Sequence, residues 1–550
     1  MNKRALSILL LILLSALIAS IIFLSLVPPV GKDELAHHLA VPKLYLKHGG
    51  MYEIPFMPFS YYPMNLDLLY LIPLYLGNDI VPKFIHFIFA LLTAWLLFRY
   101  IKRRINALYA LFGVLFFLSI PVVLKLSISA YVDLGLMFFS TASLLLLFKW
   151  IESKRNTRYL VFSAMMCGLG LGTKYNGLLT FLLLTLFVPV FYARSRAVGR
   201  PVFFKSAVQG LLFFFVALLF FSPWMIRNYR WTGNPIFPLY DSWFQSAAAR
   251  SGQNAGVAAR KGGLGVFAIR RVIYGENTWQ IALVPLRAFF QGKDGSPQYF
   301  DGQLSPFLLL LPALNLLGIR RDRENLRREK KTMAAFSILF VTFAFFTSDF
   351  RIRYVSPVIP PLVILSALGL NQGVEWLRRW TGPKPGVLAA SVCFLLSAAP
   401  LFFNAIYLYD QFREVEPWSY IQGSVTKDEY IEKRRPEYPG IQYINKVLSQ
   451  DAHLMLIYLG GRVYYLERDY VFGEGIFGQY LRESETSRDL WVRLQKAKIS
   501  HLYIYDPLFY RWMEFNFDGE RKAVLRDFFV NYTSVVFSKN EFTLYALLTQ

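Results

Sequence analysis

The sequence predicts a mainly helical, polytopic membrane protein of about eleven transmembrane spans, followed by a small α/β domain outside the membrane. Three observations carry this. Of 550 residues, 55% are hydrophobic and only 17% charged. The apolar residues come in long blocks of bilayer-spanning length. The basic residues gather in alternate connections between those blocks, as the positive-inside rule requires.

The first block, 5–27, follows "MNKR". At roughly 23 residues it exceeds the core of a signal peptide and reads as an uncleaved signal anchor, with the amino terminus cytoplasmic. Further blocks lie near 81–100, 105–124, 129–149, 158–173, 176–193, 203–222, 304–319, 332–347, 355–370 and 387–407. The connections "FRYIKRR", "KWIESKRNTR", "ARSRAVGRPVFFK", "RRDRENLRREKK" and "EWLRRWTGPK" then all fall on the cytoplasmic side. The net charge of +23 is therefore distributed as a membrane surface and its anionic lipids demand, and not as a nucleic-acid-binding face. Cys167 and Cys393 both lie in apolar blocks, with neither a disulfide framework nor a metal-ligand spacing.

This parity predicts a multi-pass protein of the cytoplasmic (inner) membrane, with a membrane domain over 1–410 and outer loops at 28–80 and 223–303. The stretch "GQNAGVAARKGGLG" in the second loop reads as mobile, and its "KGGLG" lacks the spacing of a phosphate-binding loop. Residues 411–550 change character. "AHLMLIYL", "SHLYIYD" and "SVVFSKNEFTLYALL" read as strands, the last as a hairpin. "YPGIQYINKVLSQ", "SRDLWVRLQKAK" and "GERKAVLRDFFV" read as amphipathic helices. Together they form an extracytoplasmic α/β domain.

Polar residues that could do chemistry cluster on the outer side. After the first span, "DELAHHLAVPKLYLKHGG" suits a helix along the membrane surface, bent near Pro42. Asp33 and Glu34 point about 100° apart on such a helix, so one is the chemical group and the other its support. Asp at a cap and Glu in the first turn would also serve the helix start alone. Asp33 with His37, and Glu34 with His38, have the i, i+4 spacing of a metal pair, but no third ligand is in view. Asp133 opens the fourth span, Lys174 interrupts "GLGLGTKYNGLL", and Arg351 and Arg353 stand in "SDFRIRYVSPVIPP". Lysine and arginine snorkel at helix ends for purely structural reasons. Gathered on one face with carboxylates, they suit the anionic headgroup of a lipid, and the acids and the late arginines are expected to face one outer cavity.

The acid pair, Asp133, "GLGLGTKYNG", "TGNPIFPLY" and "FRIRYVSPVIPP", in this order and on this side, resemble polytopic C-type glycosyltransferases. The nearest branch is the bacterial relatives of protein O-mannosyltransferases and aminoarabinose transferases. The resemblance spans most of the chain and is densest over 30–240 and 345–370. Where such proteins often carry an aromatic after the acid pair, His37 stands here. The resemblance implies transfer of a sugar from a polyprenyl-phosphate donor to a hydroxyl on a lipid, polysaccharide or protein acceptor. Asp33 is then the base, while Glu34 or Asp133 stabilises the oxocarbenium-like state or orients the acceptor. Lys174, Arg351 and Arg353, with Tyr354 and His37, hold the donor. Direct displacement inverts the anomeric centre and requires no cofactor; a divalent metal is left undecided. The alternative is a transporter or flippase of a lipid-linked precursor, whose site would lie near the bilayer midplane between repeated halves. Neither feature is visible in the sequence.

Overall fold

The computed structural model describes residues 3–193, 200–244, 265–318, 320, 322–347, 349–381 and 387–548. The "GQNAGVAARKGGLG" stretch, but for its last glycine, lies outside them. The chain forms two compact units. The first comprises Met1–Val27, Tyr61–Phe244 and Gly263–Pro417. The described part of the second comprises Pro28–Ser60 and Trp418 onward.

Every apolar block of the first unit forms a helix. Among the described residues, six helices are long and apolar enough to cross a membrane: Lys3–Ser25, Val81–Arg104, Asp133–Glu152, Val202–Thr232, Glu324–Thr347 and Ile352–Thr381. The protein is thus a multi-span, mainly helical membrane protein. The block at 105–124 is not one straight helix. Ala107–Ser119 and Pro121–Ser127 meet at 68°. Pro121 fixes its own φ and forces Ile120 out of the helical region, to φ −56° and ψ 129°. Three further apolar helices, Thr157–Leu171, Gly177–Ala193 and Phe307–Leu317, are shorter. Starts and stops follow local chemistry. The Asn106 side chain accepts from the amides of Leu108 and Tyr109, and Asn156 from that of Arg158. Lys102, Arg103 and Arg104 occupy the last turn of Val81–Arg104, where cations meet the negative end of the helix dipole. Small residues bring helices together: a Cβ on Gly168 would collide with the Ala217 carbonyl of the neighbouring helix.

The second unit is built on a five-stranded mixed sheet of order β2-β1-β3-β5-β4. Strands β1 (His453–Ile457), β2 (Asp469–Phe472) and β3 (His501–Tyr505) are parallel, with Met455 opposite Leu502. Strands β4 (Thr533–Lys539) and β5 (Phe542–Leu547) form an antiparallel hairpin whose turn residues, Asn540 and Glu541, both adopt positive φ. The period-2 alternation sends Met455, Ile457, Leu502 and Ile504 into a core with Phe477, Leu490, Leu525 and Phe528. On the other face the Tyr503 hydroxyl donates to the Glu437 carbonyl at 2.7 Å, close under Gly440 of helix Tyr438–Val447. The sequence pattern missed β2 and the helices Glu474–Glu483 and Asp506–Asn516. The first is only four residues long.

Candidate active site

The acid segment belongs to the second unit. Its backbone is a π-turn over Glu34–His38, closed by the Leu39 amide donating to the Glu34 carbonyl at 2.9 Å, and it continues as helix Ala40–His48. Pro42 sits in the first turn of that helix, where a missing N–H costs little. π-Turns are rare and concentrate at functional sites. The two acids behave differently. Glu34 is buried and folds back, its Oε2 accepting from the Gly31 amide at 2.6 Å. A Cβ on residue 31 would lie 2.5 Å from that oxygen, so this fold-back of Glu34 is seated against a glycine. Asp33 is half-buried and makes no side-chain capping bond to the helix it precedes. His37 stacks on Phe59 with ring centres 4.5 Å apart and leans on His38 at 4.0 Å.

The remaining predicted residues lie in the first unit, and the structure brings them together. Asp133 is the first residue of helix Asp133–Glu152 and is fully buried. Lys174, in the turn between Thr157–Leu171 and Gly177–Ala193, donates to Asp133 Oδ1 at 2.6 Å. Three cations surround a single ring, that of Tyr354. Lys174 Nζ lies 5.3 Å from its centre, Arg353 Cζ 5.3 Å and Arg351 Cζ 5.9 Å. Arg353 also lies over Tyr131, at 5.3 Å. The segment carrying these arginines is a 3₁₀ run, Ile352–Val358, whose three-residue turn places Arg351 and Tyr354 on one edge. Arg351 is already engaged with two carboxylates, Asp349 at 3.1 Å and Asp301 at 3.2 Å. Burial, with Tyr354 as a neighbour, pushes the Tyr62 phenol above its ordinary range.

A shell of buried polar side chains, which sequence reasoning passed over, holds this cluster. His86 Nδ1 lies 2.9 Å from the Leu126 carbonyl and 2.8 Å from that of Ser129, while Nε2 takes the Leu134 amide at 2.9 Å. This assigns the neutral tautomer with its proton on Nδ1 and fixes the start of the Asp133 helix. Asn65 pins the Lys174 turn: its amide donates to the Gly172 carbonyl at 2.8 Å and its side chain to Leu169 at 3.1 Å. A Cβ on Gly172 would collide with that side chain. The "TGNPIFPLY" motif closes the far side. Its Phe237 carbonyl accepts from the hydroxyl of Tyr175 at 2.8 Å and from Asn228 at 3.2 Å. The signal for His86, Asn65 and Asn228 was a lone polar residue within or beside an apolar block. Among the described residues, no group of three or more His, Cys, Asp or Glu side chains could hold a metal ion.

The chain is thus a polytopic membrane protein with a separate mixed-sheet unit, and its helical unit bears a cation cluster on a buried carboxylate. The fold is similar to that of ArnT from Cupriavidus metallidurans. In the apo state that protein matches with a TM-score of 0.56 at 15% identity, over 98% of this chain and 97% of the other. Bound to undecaprenyl phosphate it matches with a TM-score of 0.56 at 14% identity, over 98% of both chains. No curated protein sequence matches the chain. Residues 74–226 match the dolichyl-phosphate-mannose-protein mannosyltransferase family, a stretch that contains Asp133 and Lys174. Over that part of its length the chain is similar to this family of membrane glycosyltransferases.

Proposed function

We propose that this protein transfers a glycosyl group from a polyprenyl-phosphate donor to an acceptor hydroxyl on the extracytoplasmic side of the cytoplasmic membrane, inverting the anomeric centre. The observation that carries the reading is the convergence of Lys174, Arg351 and Arg353 on the Tyr354 ring beside Asp133. A leaving lipid phosphate needs such cations and no proton donor.

The step is a direct displacement. The acceptor oxygen attacks the anomeric carbon while Asp33 takes its proton, and the bond from that carbon to the phosphate oxygen breaks. The electron pair leaves with the polyprenyl phosphate, whose growing charge Lys174 and Arg353 stabilise. Arg351, held by Asp301 and Asp349, chiefly orders the 3₁₀ segment. Asp133 holds Lys174 in place; its other oxygen, Oδ2, accepts no hydrogen bond among the described residues and suits a sugar or acceptor hydroxyl. Glu34 shapes the backbone beneath Asp33, and His37 with Phe59 offers a flat face to a sugar ring. Activation is stored in the phosphate ester, so no cofactor or metal is required. About eleven apolar segments cross the membrane in this reading. The amino terminus is then cytoplasmic and the carboxyl-terminal domain outside, as the basic connections favour. Lipid, polysaccharide and protein acceptors all suit such a site.

The test uses membranes from a gene-deletion strain as acceptor source and purified protein with a panel of labelled undecaprenyl-phosphate hexoses and pentoses. One donor should pass its label to a membrane component, and Lys174→Ala and Arg353→Ala should slow that transfer. Label moving across vesicle membranes without any new glycosidic bond would instead identify a flippase.

A further inference from the structure

The carboxyl-terminal domain grips the main chain around Asp33. Within the second unit, the loop following β1 donates two backbone amides, those of Val463 and Tyr464, to the Leu35 carbonyl, each at 3.1 Å. The Tyr465 hydroxyl donates to the Pro29 carbonyl at 2.9 Å, and Arg435 Nε donates to that of Val30. In the opposite direction, Lys43 reaches out of the acid segment. Its ammonium donates to the carbonyls of Tyr464 at 2.6 Å and Leu466 at 3.1 Å and to the Glu467 carboxylate at 2.7 Å, which uses all three of its protons. Gly461 lies at this contact, in a backbone conformation that favours glycine. It has φ +77°, and a Cβ there would lie 3.8 Å from the Cβ of Ala36, between Asp33 and His37.

These bonds go to backbone carbonyls on either side of Asp33 and to the lysine one helical stretch later. A domain that recruits an acceptor would present side chains to that acceptor. Here they are turned onto the chain that carries the base. Main-chain capture on both sides of a residue fixes where its side chain originates, which is what a general base needs to meet a hydroxyl in a reactive geometry.

We propose that the carboxyl-terminal domain is a positioning clamp for the catalytic segment, with Lys43 and Tyr465 as positioning residues that hold Asp33 in register for proton transfer. This rests on Asp33 being the base. The clamp acts on turnover: it sets how often a bound acceptor finds the carboxylate in place, and leaves donor affinity alone.

The test compares full-length wild type, Lys43→Met, Lys43→Arg, Tyr465→Phe and Asp33→Asn. Each is assayed with the undecaprenyl-phosphate donor found active and deletion-strain membranes as acceptor, after thermal unfolding has confirmed a folded protein. Lys43→Met should lower kcat about ten- to a hundredfold, because a misplacement of about an ångström costs that much, with both KM values held within about twofold. Lys43→Arg should restore most of the loss, since a guanidinium can still donate to the Tyr464 carbonyl and Glu467. If Lys43→Met does not fold, Tyr465→Phe carries the test: a several-fold lower kcat at unchanged KM supports the clamp. An unchanged kcat in the folded variants, with Asp33→Asn inactive, overturns the clamp and leaves the base in place. A rise in acceptor KM alone overturns it in favour of acceptor binding. An active Asp33→Asn defeats the base reading itself.

Discussion

Replacing Lys174 by alanine tests the cation cluster, because the observed ion pair of this lysine and its proposed contact with the donor phosphate can be separated. It is the ion-pair partner of the fully buried Asp133, at 2.6 Å, with its own side chain 14% exposed. Removing one member of such a pair leaves an uncompensated buried charge and costs about 3–5 kcal/mol of stability. In the proposed mechanism it also donates one charge-assisted hydrogen bond to the departing phosphate, worth about 1.5–3 kcal/mol. At 1.4 kcal/mol per factor of ten, that second loss is about ten- to a hundredfold in kcat/KM for the donor. The double variant Lys174→Met with Asp133→Asn removes the stranded charge, and a neutral pair of similar volume is close to neutral for stability. Thermal unfolding should therefore recover toward wild type in the double variant, while donor kcat/KM stays at least tenfold down. If stability and kcat/KM recover together, Lys174 is only the structural partner of Asp133 and the phosphate assignment fails.

Arg353→Ala should lower donor kcat/KM by a factor similar to Lys174→Ala, read with a titration of labelled undecaprenyl-phosphate sugar. Arg351→Ala, whose guanidinium is engaged by Asp301 and Asp349, should chiefly lower the unfolding temperature and spare the donor KM. Glu34→Gln keeps an oxygen acceptor for the Gly31 amide and should turn over near the wild-type rate in the transfer assay. Gly31→Ala places a methyl group 2.5 Å from Glu34 Oε2, displaces the Glu34 carboxylate from the Gly31 amide, and should depress stability and transfer, followed by calorimetry and activity.

The parts of this molecule legible in the sequence were those dictated by solvent. Apolar blocks fall where helices fall, because backbone polar groups in lipid must bond within their own segment. The hairpin "SVVFSKNEFTLYALL" was readable because its alternation and turn residues act locally. Less legible was whatever depends on a distant partner. The 68° break at Pro121 was announced by the proline, yet its direction was not. Strand β2 has a single buried residue, Tyr470, and needs β1 to exist. Lys174, Arg351 and Arg353 were visible as cations on one face, but their convergence on the Tyr354 ring depends on a 3₁₀ turn that no periodicity signals. The resemblance assigned the base to Asp33 and support to Glu34, but the fold-back of Glu34 onto Gly31 was not readable from the sequence.

That assignment places the central claim on Asp33, and the most direct measurement is the transfer rate of Asp33→Asn. Asparagine matches aspartate in size and polarity. What is lost is the ability to accept the proton of the acceptor hydroxyl, a contribution of about 10²–10⁴-fold in rate. With labelled undecaprenyl-phosphate sugar and deletion-strain membranes, Asp33→Asn should bind donor as the wild type does and transfer at least about a hundredfold more slowly. Turnover by Asp33→Asn at the wild-type rate would contradict the account. If Glu34→Gln were then the inactive variant, the base would be Glu34.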